Sequence, residues 1–126
     1  MVIGRQNKDE GAIESVGYGK FFGRMNDPTS SSYLQGPCGD AMEFYLVIEE
    51  GRITDIRYYT DGCQATRACA AMVARQAFGK TIQEALLISA GEVIATLKDL
   101  PKDHLHCSIL AVSTLYRAIA DYLLKG

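Results

Sequence analysis

The sequence predicts an α+β fold, with a small antiparallel sheet packed against several helices and a long C-terminal helix. Three observations predict it. Met42, Phe44, Leu46 and Ile48 recur at every second position, and after a turn residues 53–60 are rich in β-branched and aromatic side chains, the pattern of a half-buried strand pair. From position 64 onward they recur at steps of three and four, the period of a helix. The hairpin comes first and the helices follow, an order that suits a sheet with helices on one face rather than alternating parallel strands. The 126 residues fit one domain, and 48% hydrophobic with 22% charged residues exclude disorder as the main state.

In chain order, residues 1–37 are the least regular. Gly11, Gly17, Gly19 and Gly23 interrupt any helix, and Asn26-Asp27-Pro28-Thr29-Ser30-Ser31-Ser32 is loop chemistry. Mobility is expected there, above all over about residues 1–30, with one short helix near positions 13–22. Met42, Phe44, Leu46 and Ile48 then share one strand face. Glu49-Glu50-Gly51-Arg52 makes a turn, and residues 53–60 return as a second strand rich in β-branched and aromatic side chains. Ala65, Ala68, Cys69, Met72, Val73 and Ala77 mark a helix over about residues 64–78, which Gly79 stops. Thr81 with Glu84, and Ser89 with Glu92, are capping boxes that open helices reaching to about 88 and 100. Pro101 ends that stretch. Leu105, Ile109, Val112, Leu115, Ile119 and Leu123 then set out the longest helix, over about residues 105–124.

Charge and targeting signals narrow the function classes. Thirteen Lys and Arg against fifteen Asp and Glu give a net charge of −2 without any block of one sign, so no footprint for nucleic acid or for an anionic membrane is expected. No uninterrupted apolar run reaches the ~18 residues of a spanning helix, and the polar start lacks the apolar stretch of a secretion signal, which predicts a cytoplasmic protein. In a reducing compartment Cys38, Cys63, Cys69 and Cys107 read as free thiols or metal ligands rather than as two disulfides.

Several motifs fail on inspection. Gly79-Lys80-Thr81 lacks the Gly that a phosphate-binding loop needs at position 74, which is Ala. Gly17, Gly19 and Gly23 are out of register for a dinucleotide fingerprint, and no Ser is framed by glycines as a hydrolase nucleophile. What remains is Cys38-Gly39-Asp40, Gly62-Cys63 and His106-Cys107. Any one cysteine alone reads as an ordinary core residue, but these three sit beside Gly or His instead of in apolar periodic positions. Cys63 and Cys107 fall near helix starts, where exposed N–H groups and the helix dipole favour thiolate. Three thiolates with a carboxylate and an imidazole nearby suit a four-coordinate site for zinc or an iron–sulfur cluster. Cys69 lies about 9 Å beyond Cys63 along the same helix and is expected in the core, and His104 in solvent or at a cap.

At these residues the sequence resembles the IscU/NifU-type iron–sulfur cluster assembly scaffolds. The matching words are Cys38-Gly39-Asp40 with Met42, Thr60-Asp61-Gly62-Cys63, Gly79-Lys80-Thr81 with Glu84-Ala85, Leu100-Pro101, His106-Cys107-Ser108 and Ala118-Ile119-Ala120-Asp121-Tyr122. They run in order over about residues 36–124. The resemblance implies a three-stranded antiparallel sheet with helices packed on it. It implies Cys38, Cys63 and Cys107 as cluster thiols, Asp40 and His106 as alternative fourth ligands or assembly helpers, and Cys107 as the sulfur acceptor. It further implies a carrier rather than an enzyme, which receives persulfide sulfur from a cysteine desulfurase, takes up iron, builds a transient 2Fe-2S cluster and passes it to recipient apoproteins. Two segments depart from the family. Its Asn-Pro-Arg-Asn-type segment is represented only by Asn26-Asp27-Pro28. The Leu-Pro-Pro-Val-Lys segment that a dedicated heat-shock chaperone recognises reads Leu100-Pro101-Lys102-Asp103-His104, so transfer through that chaperone does not carry over. Two other readings use the same residues: a structural or regulatory zinc protein on the three cysteines plus Asp or His, and a metal-free thiol protein that relays persulfide.

Overall fold

The computed structural model describes residues 18–37, 39–98 and 100–125. Cys38 and positions 13–17 of the expected short helix lie outside them. Within the described residues the order is α1 (Tyr18–Phe21), β1 (Ser30–Gln35), β2 (Ala41–Glu49), β3 (Arg52–Thr60), α2 (Gln64–Ala77), α3 (Ile82–Ala85), α4 (Ala90–Thr96), a 3-10 turn (Lys102–His104) and α5 (His106–Lys125).

The sheet is built on β2. Its neighbours β1 and β3 both run antiparallel to it, in the order β1-β2-β3. Along β2, Met42, Phe44, Leu46 and Ile48 are buried while the residues between them are partly exposed, as the two-residue period requires. The β2–β3 turn places Glu50 at φ 53° and Gly51 at φ 75°. Two successive positive φ angles twist a two-residue turn in the hand that flanking strands need.

β1 is a correction to the expected loop over residues 26–32. Three consecutive serines have weak strand propensity, but Ser31 and Ser32 are tied to the C-terminal helix. The Ser31 N–H donates to Asp121 Oδ2 at 3.2 Å, and Ser32 Oγ donates to the Thr114 carbonyl at 2.7 Å. Tertiary hydrogen bonds thus override local preference.

Both long helices cover the apolar face of the sheet. α5 turns Leu110, Ala111, Leu115, Ala118 and Ile119 into the core, and α2 contributes Ala68, Cys69, Ala70, Ala71, Met72, Val73 and Ala74. Alanine on so many positions of α2 lets its backbone lie close to its neighbours. Both expected capping boxes form, at Thr81 with Glu84 and at Ser89 with Glu92, but the helices they open are shorter than expected and end at Ala85 and Thr96. The segment Lys102–Lys125 holds an 18-residue stretch with the mean hydropathy, 1.3, of a membrane-crossing helix, yet half of that stretch is buried inside the fold, as expected of a core helix.

Leu115 is fully buried on α5 whereas Leu124, on the same helix, is 87% exposed. Urea unfolding should therefore show Leu115→Ala to cost about 2–5 kcal/mol, and Leu124→Ala to fall within about 0.5 kcal/mol of wild type. Equal effects would mean that α5 does not pack in this orientation.

Candidate functional site

Three chain segments meet where the sheet ends and the long helices begin. The first is the β1–β2 turn. The Gly36 N–H donates to the Asp40 carbonyl at 2.7 Å, the Gly39 N–H returns to the Gly36 carbonyl at 3.1 Å, and Gly39 has φ 92°, so the turn is closed by its own backbone. A side chain at Gly36 would press on Leu110 of α5, with its Cβ 3.3 Å from Leu110 Cδ2, which shows how tightly this turn sits on that helix.

The second segment is the β3–α2 turn. Thr60 Oγ1 donates to the Ala41 carbonyl at 2.6 Å and accepts the Gly62 N–H at 3.1 Å, tying the turn to the start of β2. Gly62 is demanded by space: a Cβ there would stand 2.9 Å from both Asp40 Oδ2 and Thr66 Cγ2. Cys63 follows as the N-cap of α2 and is exposed. The third segment is the start of α5, which carries His106 and Cys107 after the 3-10 turn with His104.

The side chain that joins them is Thr66, fully buried in the first turn of α2. Its hydroxyl donates to Asp40 Oδ2 at 2.7 Å and lies 3.5 Å from Cys63 Sγ and 3.4 Å from Cys107 Sγ. Cys107 Sγ is in turn 3.8 Å from His106 Nε2 and 4.0 Å from His104 Nδ1. The two imidazoles stack at 6.2 Å between centroids. Two thiols and one carboxylate therefore surround one hydroxyl, and two imidazoles flank the Cys107 sulfur. As they stand, no three His, Cys, Asp or Glu side chains among the described residues are placed to hold a metal ion. The donor types nonetheless suit iron or zinc.

The thiols differ in character. Burial alone would push the Cys63 thiol up, but its contact with the Thr66 hydroxyl and the backbone N–H groups of Thr66 and Ala65 outweigh both that and the nearby negative charge of Asp40, and hold it below the ordinary thiol range. Cys69 is buried in the core, and burial with the neighbouring Cys107 and Cys63 pushes its thiol up to about 12. Cys107 is only 2% exposed. All three described cysteines are free thiols.

Comparison with known proteins places the chain in a family. The pattern of the NifU-like N-terminal domain matches residues 8–126. The chain belongs to the NifU-like N-terminal domain family. Among proteins similar to it, "Iron-sulfur cluster assembly scaffold protein IscU 1" of Archaeoglobus fulgidus is 42% identical over 105 residues, covering 82% of this chain and 69% of that one. "Iron-sulfur cluster assembly scaffold protein IscU" of Escherichia coli K12 is 37% identical over 103 residues, covering 79% of this chain and 80% of its own length. The fold is shared with a nitrogen-fixing NifU-like N-terminal domain from Brucella abortus, at TM-score 0.73 and 17% identity over 94% of this chain and 95% of that one. A proposed assembly scaffold of the SUF system from Fervidobacterium islandicum aligns at TM-score 0.73 and 21% identity, over 89% and 96% of the two chains.

Of the site residues named from the sequence, this NifU-like domain brings Asp40, Cys63, His106 and Cys107 together, while Cys38 lies outside the described residues. Cys69 is in the core, as expected. His104, expected in solvent or at a cap, ends the 3-10 turn with its side chain 36% exposed, and it also stacks on His106 beside Cys107. Thr66 was missed entirely. It lies three residues after Cys63, on the same face of the helix, but a lone Thr among alanines carries no chemical signature.

The thiol contrast predicts an order of alkylation. At about pH 8, near the ordinary thiol pKa, iodoacetamide should label Cys63 well before Cys69, and Cys69 only after unfolding in denaturant. Peptide mapping by mass spectrometry reads the order, and early labelling of Cys69 would contradict its place in the core.

Proposed function

We propose that this chain is an iron–sulfur cluster assembly scaffold, in which iron and sulfide are cargo rather than a resident cofactor. The observation that carries this reading is the convergence of Asp40, Cys63 and Cys107 around Thr66, with His106 beside the Cys107 sulfur, in a chain of the NifU-like N-terminal domain family. Relatives named as assembly scaffolds, at 37–42% identity over most of the chain, support it.

In this proposal Cys38, Cys63 and Cys107 bind the cluster, with Asp40 or His106 as the fourth donor. Three thiolates and one harder oxygen or nitrogen donor hold iron less firmly than four thiolates, which suits cargo that must leave. Sulfur arrives as the persulfide of a cysteine desulfurase. The Cys107 thiolate attacks the outer sulfur, a new S–S bond forms on Cys107, the donor's S–S bond breaks, and the donor departs as a thiolate. Two electrons from an external reductant then convert each transferred sulfur to sulfide. Because Cys107 is buried, this attack requires the segment around it to open. The completed 2Fe-2S cluster passes to recipient apoproteins.

Anaerobic reconstitution with iron and sulfide, read by visible absorbance and metal analysis, tests the function. A coloured protein with iron and sulfide in equal amounts is expected. Tightly held zinc and no colour would favour the zinc protein, and persulfide without any metal uptake the thiol relay. Single Ser substitutions at Cys38, Cys63 and Cys107 should each abolish stable assembly, while Cys69→Ser should retain it and lose only packing stability. Loss of the cluster in Cys69→Ser alone would overturn the ligand assignment.

Mass spectrometry after incubation with a cysteine desulfurase and cysteine should locate the added 32 Da, the mass of one sulfur atom (~32 Da), on Cys107. Sulfur confined to the exposed Cys63 would move the acceptor role there and leave the scaffold reading intact.

A further inference from the structure

Thr66 touches a carboxylate and two thiols of the site through its hydroxyl. Its methyl side is held by the close approach of Gly62, and its hydroxyl points into the gap between the Asp40 carboxylate and the sulfurs of Cys63 and Cys107. A hydroxyl has one proton to donate and two lone pairs to accept with, whereas an ionised carboxylate only accepts. The separation of 2.7 Å from Asp40 Oδ2 suits a charge-assisted O–H···O⁻ bond, while the sulfurs at 3.4 and 3.5 Å make the weaker contacts of thiols. The single proton is thus committed to Asp40.

This commitment matters for a metal. Oxygen donors bind iron or zinc at about 2.0–2.2 Å and thiolates at about 2.3 Å, all aimed at one point. In this structure the point on which Asp40, Cys63 and Cys107 converge is the Thr66 oxygen. Thr66 is fully buried whereas Asp40 is partly exposed on a turn, so the carboxylate is the partner that can turn away.

We propose that Thr66 is a positioning residue whose hydroxyl competes with the metal for the Asp40 carboxylate. Loading through Asp40 breaks the Thr66–Asp40 hydrogen bond, and release restores it, so the empty state is stabilised and the cargo is held less tightly. Once Asp40 has turned to the metal, the same hydroxyl proton is free to bond to a ligand sulfur. This inference rests on the reading of Asp40, Cys63 and Cys107 as metal donors.

Cobalt(II) serves as the probe, titrated anaerobically into the reduced, metal-free full chain, with affinity and the rate of release to a chelator as readouts. Thr66→Val and Thr66→Ala, which lack the hydroxyl, should each bind cobalt about tenfold tighter and release it about tenfold more slowly, the scale of one lost hydrogen bond to a charged group. Thr66→Ser, which keeps the hydroxyl, should return to within about twofold of wild type. In an Asp40→Ala background the gain from Thr66→Val should vanish, because the two side chains act on each other. Unchanged or weaker binding in both hydroxyl-free variants, or an equal gain without Asp40, overturns the proposal while leaving the ligand set in place. Wild-type affinity in Cys63→Ser and Cys107→Ser, with no thiolate-to-cobalt absorption in wild type, would instead overturn the ligand set, and the proposal with it. Circular dichroism verifies that each variant is folded. Should neither hydroxyl-free variant fold, the Thr66 hydroxyl proton of the wild-type protein decides by NMR: a shift on saturation with zinc supports the exchange of partners, and an unmoved resonance overturns it.

Discussion

A sheet with one apolar face must take all of its covering helices on that side, and the rest of this molecule follows from that constraint. β2 buries Met42, Phe44, Leu46 and Ile48 on a single face, so α2 and α5 are both drawn to it. The other face carries polar and aromatic side chains that satisfy one another. Arg24 pairs with Glu43 at 2.9 Å and lies 3.9 Å from the centre of the Tyr59 ring, and Tyr45 donates to Glu43. With two helices side by side on one face, the starts of both come beside the β1–β2 turn. The site is the place where three chain reversals are forced together, which explains how residues far apart in sequence share it.

Close approach at that junction depends on missing side chains. Gly62 leaves the volume in which Asp40 and Thr66 meet, and Gly36 leaves the volume into which Leu110 packs. Both glycines are there for space, whereas Gly39 and Gly51 are there for positive φ. Asp40 gains a second benefit from its position. α2 has no acidic residue of its own in its first turn, and the carboxylate brought in by the β1–β2 turn stands where the helix dipole favours negative charge.

The same neighbourhood makes three unlike thiols from one residue type. Cys63, exposed at a helix N-terminus, is held in a reactive range. Cys107, only 44 residues further on in the chain and in contact with the same hydroxyl, is buried between that hydroxyl and two imidazoles. Cys69, one turn beyond Thr66, is core.

The sequence by itself determined the elements whose cause is local. The alternation in β2, the Glu50-Gly51 turn, the two capping boxes, the Gly79 stop and the apolar stripe of α5 all depend on residues within a few positions of one another, so their periods and end signals are written in order along the chain. It also set out Asp40, Cys63, His106 and Cys107 as candidates, because Gly and His neighbours mark a thiol as unlike a core cysteine. Only the tertiary structure decided the rest. Ser31 and Ser32 joined a strand, with Asp121 and Thr114, more than eighty residues away, accepting their hydrogen bonds. His104 entered the site because a 3-10 turn swung it onto His106, and Thr66 became its centre because a space left by Gly62 admits a carboxylate from another turn. Long-range hydrogen bonds and close approaches of this kind leave no period or spacing in the sequence, since the partner's distance along the chain is set by the path of the whole fold.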